Sequence, residues 1–283
     1  VRLASGDTDM GVDLGAYSSR QTLMTGHATK EAAENVKRQV LEVLAEELNL
    51  PVASMDIVDG FIEFDREVDF MGLRTRYIKE HRGWTDHPDT DKLTFKEASR
   101  IAYLKKGIIV GTGKYKPQFL GGTYKGAAVG TSPAYGCSAQ VAEVEVDLET
   151  GQVNIVKIVD AHDCGKAINR TSVEGQMEGS ISMGIGEAMH EEVKFDAKGH
   201  VINGDFAEYK MVTALDMPPV DAIVVETDEP NGPFGAKEVG EGAIMPTIPA
   251  ILNAIYDAMG VRIFELPLTP ERIFSAVQQA KKE

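Results

Sequence analysis

The sequence predicts an α+β fold in which mixed sheets pack against helices. Segments with the alternation of strands and segments with helical periodicity follow one another in mixed order, without internal repeats or a low-complexity linker. The clearest hairpin comprises residues 141–147 and 153–159, joined by a turn at Glu149, Thr150 and Gly151. We expect two interlocking subdomains, at about residues 1–135 and 136–283.

The helices are predicted from apolar periodicity and from their start and stop signals. Apolar residues at helical spacing predict a long helix from about Thr29 to Leu48, and Thr94 with Glu97 forms a capping box for a short helix that ends at Gly107. Further helices are expected at 172–191, at 248–259 before Gly260, and from Thr269 and Pro270 onward.

Strands outside the hairpin are expected at 57–64, 108–115 and 220–226.

Composition and charge exclude several classes of function. The chain has 283 residues and a net charge of −15, which argues against nucleic acid and anionic membranes as partners, since both attract clustered Lys and Arg. No apolar run approaches the roughly 20 residues of a membrane span, and no signal peptide is visible at the start. The two cysteines are compatible with a reducing cytoplasm, so we expect a cytoplasmic protein. The chain begins with Val1 rather than methionine, which indicates a piece of something longer.

The glycine-rich segment 232–243 is the first candidate site. Gly235, Gly240 and Gly242 allow tight turns and close approach of other groups, and Glu241 stands between the last two. An apolar helical run begins just after it, at Pro246, so Glu241 is expected near the positive end of a helix dipole, which favours a carboxylate. A general base must be ionised before the reaction, and this position favours the ionised form. A glycine-rich turn with a solvated carboxylate would give the same sequence pattern.

Two further segments carry polar groups suited to a cofactor. In the loop 15–21, small residues and hydroxyls expose successive backbone N–H groups that can bind phosphate, and Arg20 can add a charged contact. A polar turn before a helix explains the loop equally well. In the segment 163–179, the amide of Gln176 offers donors and acceptors to a ligand edge, although a glycine-flanked helix with one satisfied polar residue is the alternative. Its glycines would weaken a helix unless close packing requires them.

Several other residue types do not form recognisable sites. His162 and His190 lack partners at zinc-ligand spacing, and neither Ser18 nor Ser19 stands in a motif of a catalytic triad. The segment 67–92 is interpreted as a solvated or subunit-facing insertion. Cys137 and Cys164 match no zinc or redox spacing, and an iron–sulfur cluster takes about four ligands, so this chain cannot hold one.

The three polar segments together resemble the xanthine oxidase family of molybdenum hydroxylases. The stretch Lys237-Glu238-Val239-Gly240-Glu241, followed by Pro246-Thr247 and a helix, is similar to the C-terminal signature of their large, molybdopterin-binding subunit. The loop from Gly6 to Gly26 and the segment around Gln176 add matches at the start and the middle. The resemblance implies that the chain is the C-terminal molybdenum cofactor-binding domain of a longer large subunit.

The resemblance also implies roles for individual residues. Glu241 takes the position of the essential acid/base glutamate, with Glu238 as its nearby rival. Tyr17 stands where the family usually has a small residue, so its ring is expected to reach toward the substrate channel. No side chain is expected to bind molybdenum directly, since the pterin holds the metal. The implied cofactor contacts are Ala16, Tyr17, Ser18, Ser19, Arg20, Gln176, Lys237, Val239 and Gly240.

The implied chemistry depends on other chains. The cofactor would be molybdopterin with molybdenum, in a nucleotide form left open that includes the cytosine dinucleotide, and iron–sulfur and FAD centres would lie on partner subunits. The upstream part of the large subunit would complete the site, and the substrate would be a small aromatic or heteroaromatic molecule.

Three functions stay open from the sequence. The segments 17–20, 125–134 and 232–238 are most similar to 4-hydroxybenzoyl-CoA reductase, which removes a phenolic hydroxyl reductively. A xanthine- or aldehyde-type hydroxylase is the alternative enzyme. A non-catalytic scaffold or assembly subunit with the same fold is the alternative from another class, because the upstream half is absent from this sequence.

Overall fold

The structure is a computed structural model that describes residues 3–10, 15–65, 68–69, 72, 93–117, 122–124, 127–129 and 133–281. It divides into two compact units, one formed by residues 25–116 and the other by residues 1–24 together with 117–283. This division differs from the predicted one near residue 135, because the first 24 residues belong with the C-terminal half. A hydrogen bond from the backbone of Glu241 to Ser19 shows why.

The unit of residues 25–116 is a helix pair with a small antiparallel sheet of order β1-β2-β3. Its core consists of apolar side chains from the helices and the sheet, among them the fully buried Leu44, Leu93 and Ala98. The elements are α1 (Gln21–Leu48, whose first residues belong to the other unit), β1 (Met55–Val58), β2 (Phe61–Phe64), β3 (Leu93–Thr94) and α2 (Phe95–Lys106).

The capping box that opens α2 is confirmed. The Thr94 hydroxyl accepts from the Glu97 N–H at 3.2 Å, and the Glu97 carboxylate accepts from the Thr94 N–H at 2.9 Å. Gly107 ends the helix with a φ of 77°. The long helix α1 is confirmed as well, but it begins at Gln21 rather than near Thr29, since nothing in residues 21–28 interrupts helical hydrogen bonding.

Two strand predictions in this unit are wrong. Residues 57–64 form the hairpin of β1 and β2 rather than one strand, because Asp59 and Gly60 adopt φ values of 48° and 82° and reverse the chain. Residues 108–115 form no strand. Gly111 and Gly113 lie directly against the backbone of α1, where a Cβ atom would clash with the carbonyls of Ala32 and Ala28.

The other unit contains a three-stranded sheet of order β6-β7-β8 covered by helices. The hairpin β6–β7 is antiparallel and pairs Val141 with Val159, while β8 lies parallel to β7 and pairs Val220 with Ile158. The elements are β4 (Gly122–Tyr124), β5 (Ala127–Val129), β6 (Cys137–Val146), β7 (Val153–Asp163), α3 (Arg170–Met189), β8 (Val220–Val225), α4 (Gly240–Ile244), α5 (Thr247–Met259) and α6 (Pro270–Ala280).

The core of this unit lies between the sheet and the helices. It is built from side chains that are at most 2% exposed, namely Ile158, Ile181, Ile185, Ile251, Ile255, Leu268 and Ile273. A Cβ atom at Gly184 of α3 would lie 2.5 Å from the Cβ of Thr247 in α5, so the glycine allows these helices to approach closely. At Gly175 and Gly179 a Cβ atom would meet no described residue.

Two segments named in the sequence analysis lie partly outside the residues that the structure describes. Most of the segment 67–92, with His81, Trp84 and His87, and half of the motif 125–134 lie outside the described residues. Among the helices that the structure describes, none is long and apolar enough to cross a membrane.

Candidate active site

Residues 232–243, which we call the signature segment, run along the end of strand β7. The N–H of Lys166 donates to the carbonyl of Gly235 at 2.7 Å, and the N–H of Lys237 donates to the carbonyl of Cys164 at 2.9 Å. Gly165 adopts a φ of 67°, and a Cβ atom there would clash with the Gly235 carbonyl. The sequence folds this way because the glycine permits two backbone segments to run in contact.

A side-chain ion pair between Lys237 and Asp163 also holds the signature segment against the end of β7. The Lys237 ammonium lies 2.7 Å from Asp163, and the Lys237 side chain is only 7% exposed. Burial alone would raise the pKa of Asp163, but hydrogen bonds from Lys237, Thr227 and the Gly165 backbone lower it to about 2. The Lys237 side chain is therefore engaged within the protein, and its predicted contact with a cofactor stays a prediction.

Glu241 lies in the first turn of the short helix α4. The sequence predicts a helix that starts only at Pro246, but a helical turn begins earlier, at Gly240, and α5 follows at Thr247. Val239 occupies the N-cap position and has no side-chain hydrogen bond to offer. The Ser19 hydroxyl takes this role from a distant loop, because it accepts from the Glu241 N–H at 2.8 Å.

Three predicted site residues from distant parts of the chain meet at Gly240. A Cβ atom at this position would lie 3.1 Å from the Ser19 hydroxyl oxygen and 3.3 Å from the Gln176 Oε1 atom. The absence of a side chain at Gly240 therefore lets the loop, helix α3 and the signature segment come together. The side chains of Gln176 and Glu241 are exposed at this meeting point.

The two carboxylates of the signature differ in their surroundings. The Glu238 carboxylate accepts from the Gly242 N–H at 3.2 Å and lies 3.9 Å from the Nε2 atom of the buried His162. Among the described residues, nothing donates a hydrogen bond to the Glu241 carboxylate or pairs with it, and its side chain is exposed. The structure thus leaves Glu241 available for chemistry and uses Glu238 within the fold.

The loop before α1 has an unusual backbone. Ser18 and Ser19 adopt left-handed φ values of 58° and 45°, and Gly15 has a φ of 93°. Arg20 donates from Nε to the Gly15 carbonyl at 3.2 Å, and its guanidinium carbon lies 3.9 Å from the centre of the Tyr17 ring. Ala16, Tyr17 and Ser18 are exposed, so their backbone and hydroxyl groups are accessible to a ligand.

Sequence reasoning missed three residues that hold the turn carrying Glu241. The Ser180 hydroxyl donates to the Gly240 carbonyl at 2.7 Å, and Gln140 donates to the Ala243 carbonyl at 2.6 Å. The Nε2 atom of His162 lies 3.0 Å from the Glu238 carbonyl. Polar residues at alternate positions of the strands β6 and β7 are a signal for Gln140 and His162, whereas Ser180 lies in helix α3.

Neither Cys164 nor the potential metal ligands of the described residues form a further site. Cys164 is 1% exposed, and burial raises the pKa of its thiol, so it is a core residue. Within the described part of the chain, no three His, Cys, Asp or Glu side chains come together in a group that could hold a metal ion.

Comparison with known proteins decides the family. Residues 1–218 match the family described as the molybdopterin cofactor-binding domain. The chain belongs to this family. The match includes the loop at Ser19 and the helix that carries Gln176, and the signature segment follows it in the sequence.

Curated relatives of this molybdopterin cofactor-binding domain extend over nearly the whole chain. A probable hypoxanthine oxidase of Escherichia coli is 32% identical over 99% of the chain, which spans 26% of that protein. A xanthine dehydrogenase molybdenum-binding subunit of Escherichia coli is 30% identical over 96% of the chain, which spans 32% of it. The chain thus spans about a quarter to a third of the length of these relatives.

Solved structures confirm the α+β fold of the xanthine oxidase large-subunit type. Quinoline 2-oxidoreductase from Pseudomonas putida is 26% identical, with a TM-score of 0.73, over 94% of this chain and 31% of that one. The copper- and molybdenum-containing CO dehydrogenase has the same TM-score at 23% identity, over 95% of this chain and 30% of that one. The latter likeness concerns the fold alone.

Proposed function

We propose that this domain is the part of a molybdenum-dependent oxidoreductase that carries its acid/base residue, Glu241. One observation carries the proposal: an exposed carboxylate, unpaired among the described residues, lies on a turn that Ser19 caps and that Gly240 brings against Gln176. A general base needs an available carboxylate in a fixed place, and Glu241 has both properties.

The residues around Gly240 fit a pterin cofactor by the chemistry of their polar groups. Gln176 offers amide donors and an acceptor, and Ser18 offers an exposed hydroxyl. The left-handed backbone at Ser18 and Ser19 is of the kind that presents N–H groups to phosphate. Ala16, Tyr17 and Arg20 would line the same loop, and the backbone of Lys237, Val239 and Gly240 would border it. The nucleotide form stays open, with the cytosine dinucleotide as one form.

The protein residues would bind, orient and move a proton. The molybdenum–pterin group supplies the redox chemistry when it is bound. Gln176 and the loop 16–20 would hold the pterin against Gly240. Glu241 would accept a proton at its ionised carboxylate during turnover and release it afterwards. Tyr17, with 62% of its side chain exposed and its ring against Arg20, would face the substrate.

A hydroxylase acting on a small heteroaromatic substrate is the better supported chemistry. The relatives include proteins named hypoxanthine oxidase and nicotine 6-hydroxylase large subunit, the latter 26% identical over 93% of this chain. A reductase acting on an aromatic acyl-CoA, as in 4-hydroxybenzoyl-CoA reductase, rests on short segments, and half of the segment 125–134 lies outside the described residues. A scaffold or assembly role would require no available carboxylate at Glu241.

The proposed enzyme needs further protein. Two cysteines in this sequence are too few for an iron–sulfur cluster, so electrons would pass through iron–sulfur and FAD centres on partner subunits. One relative is named as subunit gamma of the 6-hydroxypseudooxynicotine dehydrogenase complex of Paenarthrobacter nicotinovorans. The remaining part of the large subunit would close the cofactor site. A cytoplasmic location stays a prediction.

The test is cofactor analysis and turnover of the complete protein with its native partners. We expect molybdenum and pterin in equal amounts, and turnover of hypoxanthine or another N-heteroaromatic substrate rather than of 4-hydroxybenzoyl-CoA. Gln176→Ala should lower the pterin content without unfolding the domain, whereas Gln152→Ala, on the exposed hairpin turn, should leave it unchanged. A protein that contains neither molybdenum nor pterin would contradict the proposal and favour the scaffold.

A further inference from the structure

The backbone of the turn 238–243 is held by an unusual number of side chains. Six side chain–backbone hydrogen bonds reach these six residues, and five of the side chains lie outside them. Most backbone hydrogen bonds in proteins are made to other backbone groups. Side chains therefore add substantial support to the short helix in this turn, and its geometry should be sensitive to single substitutions. The side chains are Ser19, Gln140, His162, Ser180, Glu238 and Thr247.

Two of these side chains come from one polar face of the hairpin β6–β7. Gln140 lies opposite Asp160 in the strand register, and Ser138 lies opposite His162, so all four side chains point to the same side of the sheet. Asp160 and His162 are fully buried, and the Ser138 hydroxyl donates to Asp160 at 2.7 Å. We call these four residues the polar layer.

The polar layer is costly for the fold to maintain. Asp160 Oδ2, His162 Nδ1 and Gln140 Oε1 are buried and have no hydrogen-bond partner among the described residues. Buried polar atoms without partners destabilise a protein, and apolar side chains would fill the same volume without this loss. His162 and Gln140 reach beyond the polar layer. They form hydrogen bonds with the carbonyls of Glu238 and Ala243, which lie on either side of Glu241.

The hydrogen bond of His162 defines which ring nitrogen carries the proton. Its Nε2 atom faces the Glu238 carbonyl at 3.0 Å and the Glu238 carboxylate at 3.9 Å. Both are acceptors, so Nε2 carries a hydrogen and donates it to the carbonyl. A Cβ atom at Gly242 would lie 2.5 Å from the His162 ring, so the absence of a side chain there lets the imidazole reach its place.

We propose that His162 and Gln140 are positioning residues that hold the helical turn bearing Glu241 from beneath, through the carbonyls of residues 238 and 243. They act on the reaction through Glu241, whose carboxylate they do not touch. His162 fixes the entry to the turn, and Gln140 fixes its exit together with the Thr247 hydroxyl, which donates to the same Ala243 carbonyl at 3.2 Å. The functional part of this inference rests on the proposed role of Glu241, whereas the mechanical part does not.

Paired substitutions in the complete enzyme separate positioning from general stability. His162→Leu removes the donor at similar volume, whereas His162→Gln keeps an N–H donor near the position of Nε2. Gln140→Met removes the other donor while keeping the length of the side chain. Ile273→Val removes one buried methyl group from α6 and serves as the control for a general loss of stability.

Amide hydrogen exchange of residues 238–245 is the readout that does not depend on catalysis. Removing one hydrogen bond should speed exchange in this segment by about tenfold in His162→Leu and in Gln140→Met. His162→Gln should stay close to the wild type, and Ile273→Val should leave this segment no faster than the rest of the core. Turnover should fall by about tenfold in His162→Leu with KM within about twofold, and His162→Gln should restore it.

The outcomes decide the proposal in each case. Unchanged exchange at 238–245 in both His162→Leu and Gln140→Met would overturn it, as would faster exchange spread evenly over the whole core. Equal loss of turnover in His162→Gln and His162→Leu would overturn the role of the Nε2 donor. If His162→Leu does not fold, Gln140→Met and His162→Gln decide instead. Local exchange changes together with an active Glu241→Gln enzyme would uphold the mechanical part and refute the proposed role of Glu241.

Discussion

The hydroxyl oxygen of Ser19 accepts a hydrogen bond from the backbone N–H of Glu241 at 2.8 Å, although 222 residues separate the two in the chain. This bond joins the loop proposed to hold the cofactor to the turn proposed to move the proton. Because Val239 at the N-cap of α4 has no polar side chain, the short helix depends on this distant hydroxyl. The two parts of the candidate site are therefore coupled mechanically.

Ser19→Ala should loosen the turn at Glu241. Loss of a helix cap typically costs about 1 kcal/mol, and here the cost falls on a helix of five residues. We expect faster amide exchange at Glu241 and lower turnover, with the rest of the domain unaffected. Hydrogen exchange measured by mass spectrometry checks the first effect, and steady-state kinetics of the complete enzyme check the second.

Ser18→Ala is the matched comparison for this prediction. Ser18 is the neighbouring residue, is exposed, and has the same left-handed backbone, but its hydroxyl does not contact Glu241. We expect Ser18→Ala to lower cofactor content without changing exchange at Glu241. Equal changes in exchange in both variants would mean that the loop as a whole, rather than the Ser19 hydroxyl, supports the turn.

Asp163→Asn should destabilise the domain at neutral pH. It should also reduce the dependence of the free energy of unfolding on pH in the acid range. The pKa of Asp163 in the folded state is about 2, below its ordinary value of 3.8, so its contribution is present above pH 3.8 and is lost as the pH falls toward 2. A shift of this size corresponds to about 2 kcal/mol at pH 7, and the unpaired Lys237 adds to the loss. Denaturant unfolding between pH 7 and pH 2 measures both effects.

The pair between Asp221 and Lys157 provides the control. The Lys157 and Asp221 side chains are 40% and 57% exposed, so Asp221→Asn should change the free energy of unfolding by about 1 kcal/mol or less. A loss in Asp163→Asn no larger than in Asp221→Asn would show that the buried pair does not anchor the signature segment.

Two glycines of helix α3 should respond in opposite ways to alanine. At Gly184 the added methyl group would lie 2.5 Å from Thr247 Cβ, and overpacking of this kind costs about 1–3 kcal/mol. At Gly179 it would meet no described residue, so the better helix propensity of alanine should stabilise by up to about 1 kcal/mol. Thermal unfolding of both variants checks the signs, and destabilisation by Gly179→Ala would contradict this account of the helix surface.

Local signals in the sequence predicted much of the fold. The Thr94–Glu97 capping box, the stop at Gly260 and the alternating hairpin 141–159 correspond to confirmed elements because their determinants lie within a few residues. The turn at Asp59 and Gly60 has a recognisable hairpin signal as well, but the apolar run 57–64 around it favours the prediction of a single strand. The α+β class followed from the mixed order of these elements.

Contacts between distant residues could not be predicted in the same way. Nothing near Ser19 in the sequence indicates that its hydroxyl caps the helix at Glu241, and nothing near Gly113 indicates that it lies on α1 rather than in a strand. His162 gave no sign of its function, because a histidine within a strand is commonly a core residue. The polar layer becomes visible only when the strand register is known.

The central claim is that Glu241 is the acid/base residue, and Glu241→Gln tests it most directly. Glutamine keeps the size and hydrogen-bonding shape but removes the basicity, so turnover of the complete enzyme should fall by about 10²–10⁴-fold. Molybdenum and pterin content should stay at the wild-type level, and the rising limb of the pH–rate profile should disappear. Glu149→Gln, on the exposed hairpin turn, controls for the loss of one carboxylate. Near-normal turnover of Glu241→Gln with the cofactor bound would contradict the account.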